Sequence, residues 1–291
     1  MAIAHEFAYH KPKTLEEAVK LLGGFKGSAR VLAGGTDLIG WIRDGLIAPD
    51  ALIDLKGIEG LDRIENKNGV VRVGALATFN ALRESPVIRT RLPLLWEAAG
   101  MVASCGLRNR ATMVGNICSA VPCCDSGPVL LAYEAQVALR GKGGGRKVPV
   151  GEWFVANKKT AIREGEIVTG VEIPVPARHG ACYVKLGRYR GEDLAQVSVA
   201  VVALPGQEYR VAFGAVAAKP LRARKVENSL RSKGWADSVK RLVPEEISPI
   251  TDIRSTKEYR VHMAQIMLAR GVRAAVSRLA GKGPAYGTKV I

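Results

Sequence analysis

The chain has few aromatic residues, 5% of its 291 positions, and only four histidines, His5, His10, His179 and His262. It carries no helix-turn-helix, RRM-like or zinc-finger pattern, so its basic charge lacks the companions expected of a nucleic-acid binder. No stretch approaches the roughly 20 apolar residues that would cross a bilayer. The opening Met1-Ala2-Ile3-Ala4-His5-Glu6 has neither the charged start nor the apolar core of a signal peptide, and the expected location is the cytoplasm. Cysteine is scarce and odd in number: Cys105, Cys118, Cys123, Cys124 and Cys182. An odd set containing an adjacent pair is poorly suited to a disulfide framework and reads as reduced thiols. Cys118, Cys123 and Cys124 fall within seven residues, but no C-x-x-C, nearby histidine or second cysteine pair completes a metal site. They read as small residues lining a loop, and no metal is expected.

What the chain does have is apolar material, 47% of its residues, enough for one large or two medium cores. It also has a net charge of +16. Residues 177–291 hold 21 basic against 9 acidic side chains, whereas residues 1–176 hold 22 against 18. The charge therefore sits in the C-terminal part, where an acidic partner subunit or a solvated surface explains it better than nucleic acid does.

Two short glycine-bearing segments stand out. One is Leu32-Ala33-Gly34-Gly35-Thr36-Asp37; the other is Thr112-Met113-Val114-Gly115-Asn116-Ile117, leading into Pro122-Cys123-Cys124-Asp125. Each follows an apolar stretch, precedes a predicted helix, and pairs glycine with small hydroxyl or amide side chains. Glycine lets backbone N–H groups approach a ligand closely, so the two segments read as a diphosphate cradle that holds a dinucleotide from both sides. Neither fits the G-x-G-x-x-G of a Rossmann fold, and the chain has no G-x-x-x-x-G-K-[ST] P-loop.

Around these segments, Thr14 with Glu17 forms a capping box for a helix ending at Gly23-Gly24, followed by a strand over Ala29 to Leu32. A helix over Leu38 to Ile42 and a strand from Ala51 to Leu55 come next. Asn66 to Gly69 supplies hairpin chemistry between Ile64 and Val70 to Leu76. Thr78 caps a helix that Pro86 closes, and Pro93 to Val102 and Gly127 to Ala135 read as further helices. Strands follow at Gln136 to Arg140 and Ile167 to Ile173, on either side of the glycine-rich basic stretch 141–147, which reads as a mobile hairpin tip. Pro174-Val175-Pro176 marks a boundary. Beyond it lie three strands (181–186, 196–204, 209–216) and two amphipathic helices (221–232, 255–279), an α+β pattern.

Taken with Leu107 to Thr112, Asp125-Ser126, Glu166 to Val168, Lys185-Leu186-Gly187-Arg188, Glu192 to Ala195 and the run Pro249 to Arg260, these segments resemble the FAD-binding medium subunit of the molybdenum hydroxylases, the xanthine dehydrogenase and aerobic carbon monoxide dehydrogenase group. The resemblance covers nearly the whole chain. It implies an α+β protein with a two-part FAD-binding domain of the vanillyl-alcohol-oxidase (PCMH) type over residues 1–176 and a smaller α+β domain over 177–291. It places FAD contacts on Arg30, Val31, Leu32, Ala33, Gly34, Gly35, Thr36 and Asp37, and on Thr112, Val114, Gly115 and Asn116, with Asp125 a further polar contact. Lys185 matches a position beside the flavin, where a cation would stabilise the reduced anion. Val102, Ile167 and Val168 match apolar positions near the ring.

Departures from the family pattern are informative. Val114 stands where glycine is usual, and a β-branched side chain there disfavours positive φ and crowds a ligand. Cys123-Cys124 replaces small residues such as alanine. A cysteine-bearing insertion typical of the benzoyl-CoA reductase branch is absent. The resemblance implies partners: a large molybdopterin subunit and a small subunit with two [2Fe-2S] clusters, assembled as a dimer of heterotrimers. Electrons would pass through FAD to NAD+, a quinone, oxygen or ferredoxin, with no strictly catalytic residue in this chain. Two other readings are a self-contained flavin-dependent oxidoreductase, which requires an acid or base near the flavin, and a basic binding module without chemistry.

Overall fold

The computed structural model describes residues 3, 5–189 and 192–290; Met1, Ala2 and Ala4 of the expected leaderless start lie outside these. Three sheets organise the chain. A short parallel sheet joins β1 (Ala8–His10), β2 (Ala29–Leu32) and β3 (Ala51–Asp54) in the order β1-β3-β2. An antiparallel sheet then uses β4 (Ile64–Lys67), β5 (Val70–Gly74), β6 (Gln136–Gly141) and β7 (Gly144–Pro149). After the small hairpin of β8 (Phe154–Ala156) and β9 (Lys159–Thr160), the chain returns through β10 (Ile167–Pro174), which enters that sheet between β5 and β6. The third sheet is an antiparallel meander of β11 (Gly180–Leu186), β12 (Val197–Leu204), β13 (Glu208–Gly214) and β14 (Leu221–Arg222). The α+β class and the two-part arrangement ahead of a smaller C-terminal unit are thus those expected.

Strand alternation explains how the third sheet joins the rest. Ala181, Tyr183, Ala200 and Val202 face a core shared with helices Pro93–Gly100 and Ser126–Ala132 and with β5, β6 and β10. Cys182, Val184, Val199 and Val201 point the other way, into a second core under the 23-residue helix Lys257–Leu279. With side chains alternating between faces, one sheet can serve two cores. Near the shared core, the buried carboxylate of Glu97 accepts from Arg278 Nη2 at 2.7 Å, Tyr183 N at 3.0 Å and Gly287 N at 3.0 Å. This ties the C-terminal segment to helix Pro93–Gly100.

Some boundaries match the sequence reading and others differ for local reasons. Helix Leu15–Gly24 ends at Gly23-Gly24 as expected, and the capping box fixes its start: Thr14 Oγ1 accepts from Glu17 N, and Glu17 answers to Lys13 N. Pro86 opens a helix, Pro86–Arg91, instead of only closing one. Its missing N–H falls where a first-turn N–H has no intrahelical partner anyway. Of the 141–147 stretch, only Lys142-Gly143 form the hairpin turn; Gly141 ends β6 and Gly144 to Lys147 are paired in β7, so the tip is shorter than expected.

Candidate functional site

A cleft of about 990 Å³ runs between the parallel sheet, the start of β10 and the C-terminal end of β11. Both glycine segments line it. β2 delivers the first: its last residue, Leu32, is not among the residues lining the cleft, and its side chain lies against Gly35. Arg30, Val31 and Ala33 through Asp37 line the wall. Arg30 turns its guanidinium back onto the carbonyls of Gly27 and Ala29 at 2.8 and 2.9 Å. Gly34 packs so tightly that a Cβ there would lie 2.0 Å from the Arg110 carbonyl oxygen, so the two segments touch backbone to backbone. Gly35 has φ +75°, a conformation glycine adopts without strain. Helix Leu38–Arg43 follows, and the side chain of its cap residue Asp37 does not bond its own helix. The Asp37 carboxylate instead accepts from Ser119 Oγ at 2.5 Å, a second bridge between the segments.

Among the described residues, no protein acceptor takes the backbone N–H groups of Gly34, Gly35, Thr36 or Asp37. Consecutive free N–H groups in such a turn form an anion-binding concavity. The second segment behaves differently from its expectation. Thr112 caps helix Met113–Ser119, its Oγ1 accepting from Gly115 N at 3.0 Å, so the Gly115 N–H and a lone pair of the Thr112 hydroxyl are already paired with each other. Asn116 Oδ1 likewise accepts from Ser126 N at 3.2 Å. Val114 lies in the first turn of that helix, with its side chain buried. Helical backbone suits valine, so positive φ is not required there and the expected conformational conflict does not arise.

At the other end, Val102, Ile167 and Val168 form an apolar wall. Facing it, Lys185 on β11 donates to Asp125 Oδ2 at 3.0 Å and to the Met101 carbonyl at 2.9 Å. Tyr183 OH holds the other Asp125 oxygen at 2.7 Å. Burial pushes the Asp125 carboxyl up, against the opposing pull of Lys185 and Tyr183. Asp125 is thus first the counter-ion of Lys185, which keeps one ammonium proton for a ligand. Glu166 also lines the cleft, clamped by Arg146 at 2.6 and 2.7 Å, and that clamp holds its carboxyl below the usual range.

Sequence reasoning missed Ser119 and Tyr183. Nothing local flags Ser119, but Tyr183 is two residues from Lys185 on one strand and so shares its face. Cys118, Cys123 and Cys124 all line the cleft, Cys118 being exposed rather than buried. Among the described residues, no group of three or more metal-ligating side chains is assembled, and none of the four histidines lines the cleft.

The cleft fits an FAD. Its size suits a large cofactor, its free N–H turn suits a diphosphate, and its apolar wall beside a paired lysine suits a flat ring with a polar edge. Residues 5–176 match the family described as the FAD-binding domain in molybdopterin dehydrogenase, and residues 181–275 match the carbon monoxide dehydrogenase flavoprotein C-terminal domain. The chain is 34% identical to the carbon monoxide dehydrogenase medium chain of Hydrogenophaga pseudoflava, with 96% of this chain and 100% of the relative covered. It is 28% identical to the putative xanthine dehydrogenase FAD-binding subunit XdhB of Escherichia coli K12, covering 94% and 98%. A solved carbon monoxide dehydrogenase from Hydrogenophaga pseudoflava, lacking the Mo-pyranopterin moiety of the molybdenum cofactor, superposes with a TM-score of 0.91 at 34% identity over 96% of this chain and 99% of that one.

Proposed function

The chain belongs to the family of FAD-binding medium subunits of molybdenum hydroxylases, and on that premise we propose that it is the electron-transfer subunit of such an enzyme. It would accept electrons from a small [2Fe-2S] subunit, itself served by a large molybdopterin subunit, and hand them to an external acceptor: NAD+, a quinone, oxygen or ferredoxin. The assembly proposed is a cytoplasmic dimer of heterotrimers. Residues 1–176 would hold the FAD and residues 177–291 would close the site. Among the described residues, no helix is long and apolar enough to cross a membrane.

The observation that carries this reading is the cleft with free N–H groups at one end and the Asp125–Lys185 pair at the other. Gly34, Gly35, Thr36 and Asp37 would donate their N–H groups to the diphosphate, with the Thr112 hydroxyl proton and Val114 N–H from the facing helix. Val102, Ile167 and Val168 would exclude water from the ring. Lys185 would lie at its polar edge, favouring negative charge there. Bound FAD supplies the exchange of electrons in one- or two-electron steps. No histidine lines the cleft to act as a base, which favours electron relay over a self-contained oxidase.

Co-expression with candidate large and small subunits tests the reading. The expected product is a complex containing molybdenum, iron and one FAD per copy of this chain, whose flavin absorbance bleaches when the large subunit's substrate is added without oxygen. A chain that turns over substrate alone, or that never associates, would overturn it.

A further inference from the structure

We infer that Lys56, which does not line the cleft, sets the affinity of the site for a diphosphate by fixing the orientation of one peptide group. The inference rests on the proposed placement of FAD along Gly34 to Asp37. β3 ends at the buried Asp54, whose Oδ1 accepts from Lys56 N at 2.9 Å and so starts the 3₁₀ turn Leu55–Gly57. The same carboxylate pairs with Lys56 Nζ at 2.7 Å, and Tyr9 OH holds its second oxygen at 2.5 Å. Burial alone would raise the Asp54 carboxyl, but the bonds from Lys56 and Tyr9 hold it below the usual range. Held this way, Lys56 Nζ reaches the Ala33 carbonyl at 3.1 Å.

That carbonyl belongs to the same planar, trans peptide as the Gly34 N–H. C=O and N–H point to opposite sides of such a unit. Anchoring the Ala33 oxygen on Lys56 therefore directs the Gly34 N–H away from Lys56. The anchor matters because Gly34 lacks the side chain that restricts φ, so rotation of this peptide is less hindered than at other residues. Turned over, it would present a carbonyl oxygen to the diphosphate in place of a donor. Lys56 is thus a positioning residue acting through the backbone, and Asp54 and Tyr9 hold it in place.

The test compares binding of FAD, ADP and riboflavin to the apoprotein by wild type, Lys56→Met, Lys56→Arg and Tyr9→Phe, alongside thermal melts of each apoprotein. Lys56→Met should weaken FAD and ADP together by about tenfold, leave riboflavin unchanged and barely move the melting temperature. Lys56→Arg should restore part of the loss, and Tyr9→Phe, which frees one Asp54 oxygen, should weaken FAD and ADP together by less than Lys56→Met does. Unchanged FAD binding in Lys56→Met, or equal weakening of FAD and riboflavin, would overturn the role of Lys56. Wild-type protein that binds neither FAD nor ADP would instead overturn the placement of the cofactor.

Discussion

Lys185 Nζ, on the first strand of the C-terminal sheet, lies 3.0 Å from Asp125 Oδ2, at the start of a helix in the FAD-binding region. Both side chains are at most 10% exposed. The site therefore spans the two halves of the chain, and the lysine beside its apolar wall comes with its own buried counter-ion.

Removing the cation leaves that carboxylate buried and without a partner ion. Lys185→Met is expected to destabilise the protein by about 3–5 kcal/mol, the usual cost of breaking one side of a buried pair. Asp125→Asn in the same background should recover part of it. If Lys185 tunes the flavin as proposed, Lys185→Met also lowers the flavin midpoint potential. Denaturant melts and a spectroelectrochemical titration measure the two effects separately.

Gly34→Ala tests the backbone contact between the segments. The new Cβ would meet the Arg110 oxygen at 2.0 Å, with backbone on both sides and no flexible side chain to move. A loss of about 3 kcal/mol is expected, at the upper end for overpacking, together with loss of bound flavin. Retained flavin at wild-type stability would contradict the geometry.

Val114→Gly restores the residue usual in the family, yet a gain is not expected. Val114 is helical and its side chain is packed, so the change opens a cavity and loosens a helix turn, costing about 2–3 kcal/mol. FAD affinity should stay the same or fall. Tighter FAD binding by the variant would show that the valine does crowd the ligand.

Glu166 gives a pH signature. Its folded-state pKa is lowered from 4.5, chiefly by the bond from Arg146, so the pair contributes stability above that value. The contribution is lost as pH falls through the lowered folded-state value. The stability gap between wild type and Arg146→Met should therefore be largest near neutrality and shrink on acidification. A gap independent of pH would contradict the assignment.

Much of the fold was legible because it is written in long periodic segments and explicit caps. The Thr14 box, the Asn68-Gly69 turn between β4 and β5 and the alternating strands beyond residue 180 are of this kind. Four-residue helices such as Cys105–Arg108 and Val243–Glu246 were not legible, since one turn leaves no periodicity to read. The first glycine segment was legible as a donor turn because only glycine suits its contacts. That the Gly115 N–H is already paired was not legible, because the hydroxyl that marks the motif, Thr112, caps its own helix. Contacts such as Ser119 to Asp37 and Lys56 to Ala33 join residues far apart in sequence and have no local signature.

The central claim is that this cleft holds one FAD through a diphosphate-binding turn. The most direct measurement is a fluorescence titration of the apoprotein with FAD, repeated in the presence of ADP. The account predicts saturation at one FAD per chain with ADP competing for the site. Absence of saturable binding, or FAD binding that ADP does not displace, would contradict it.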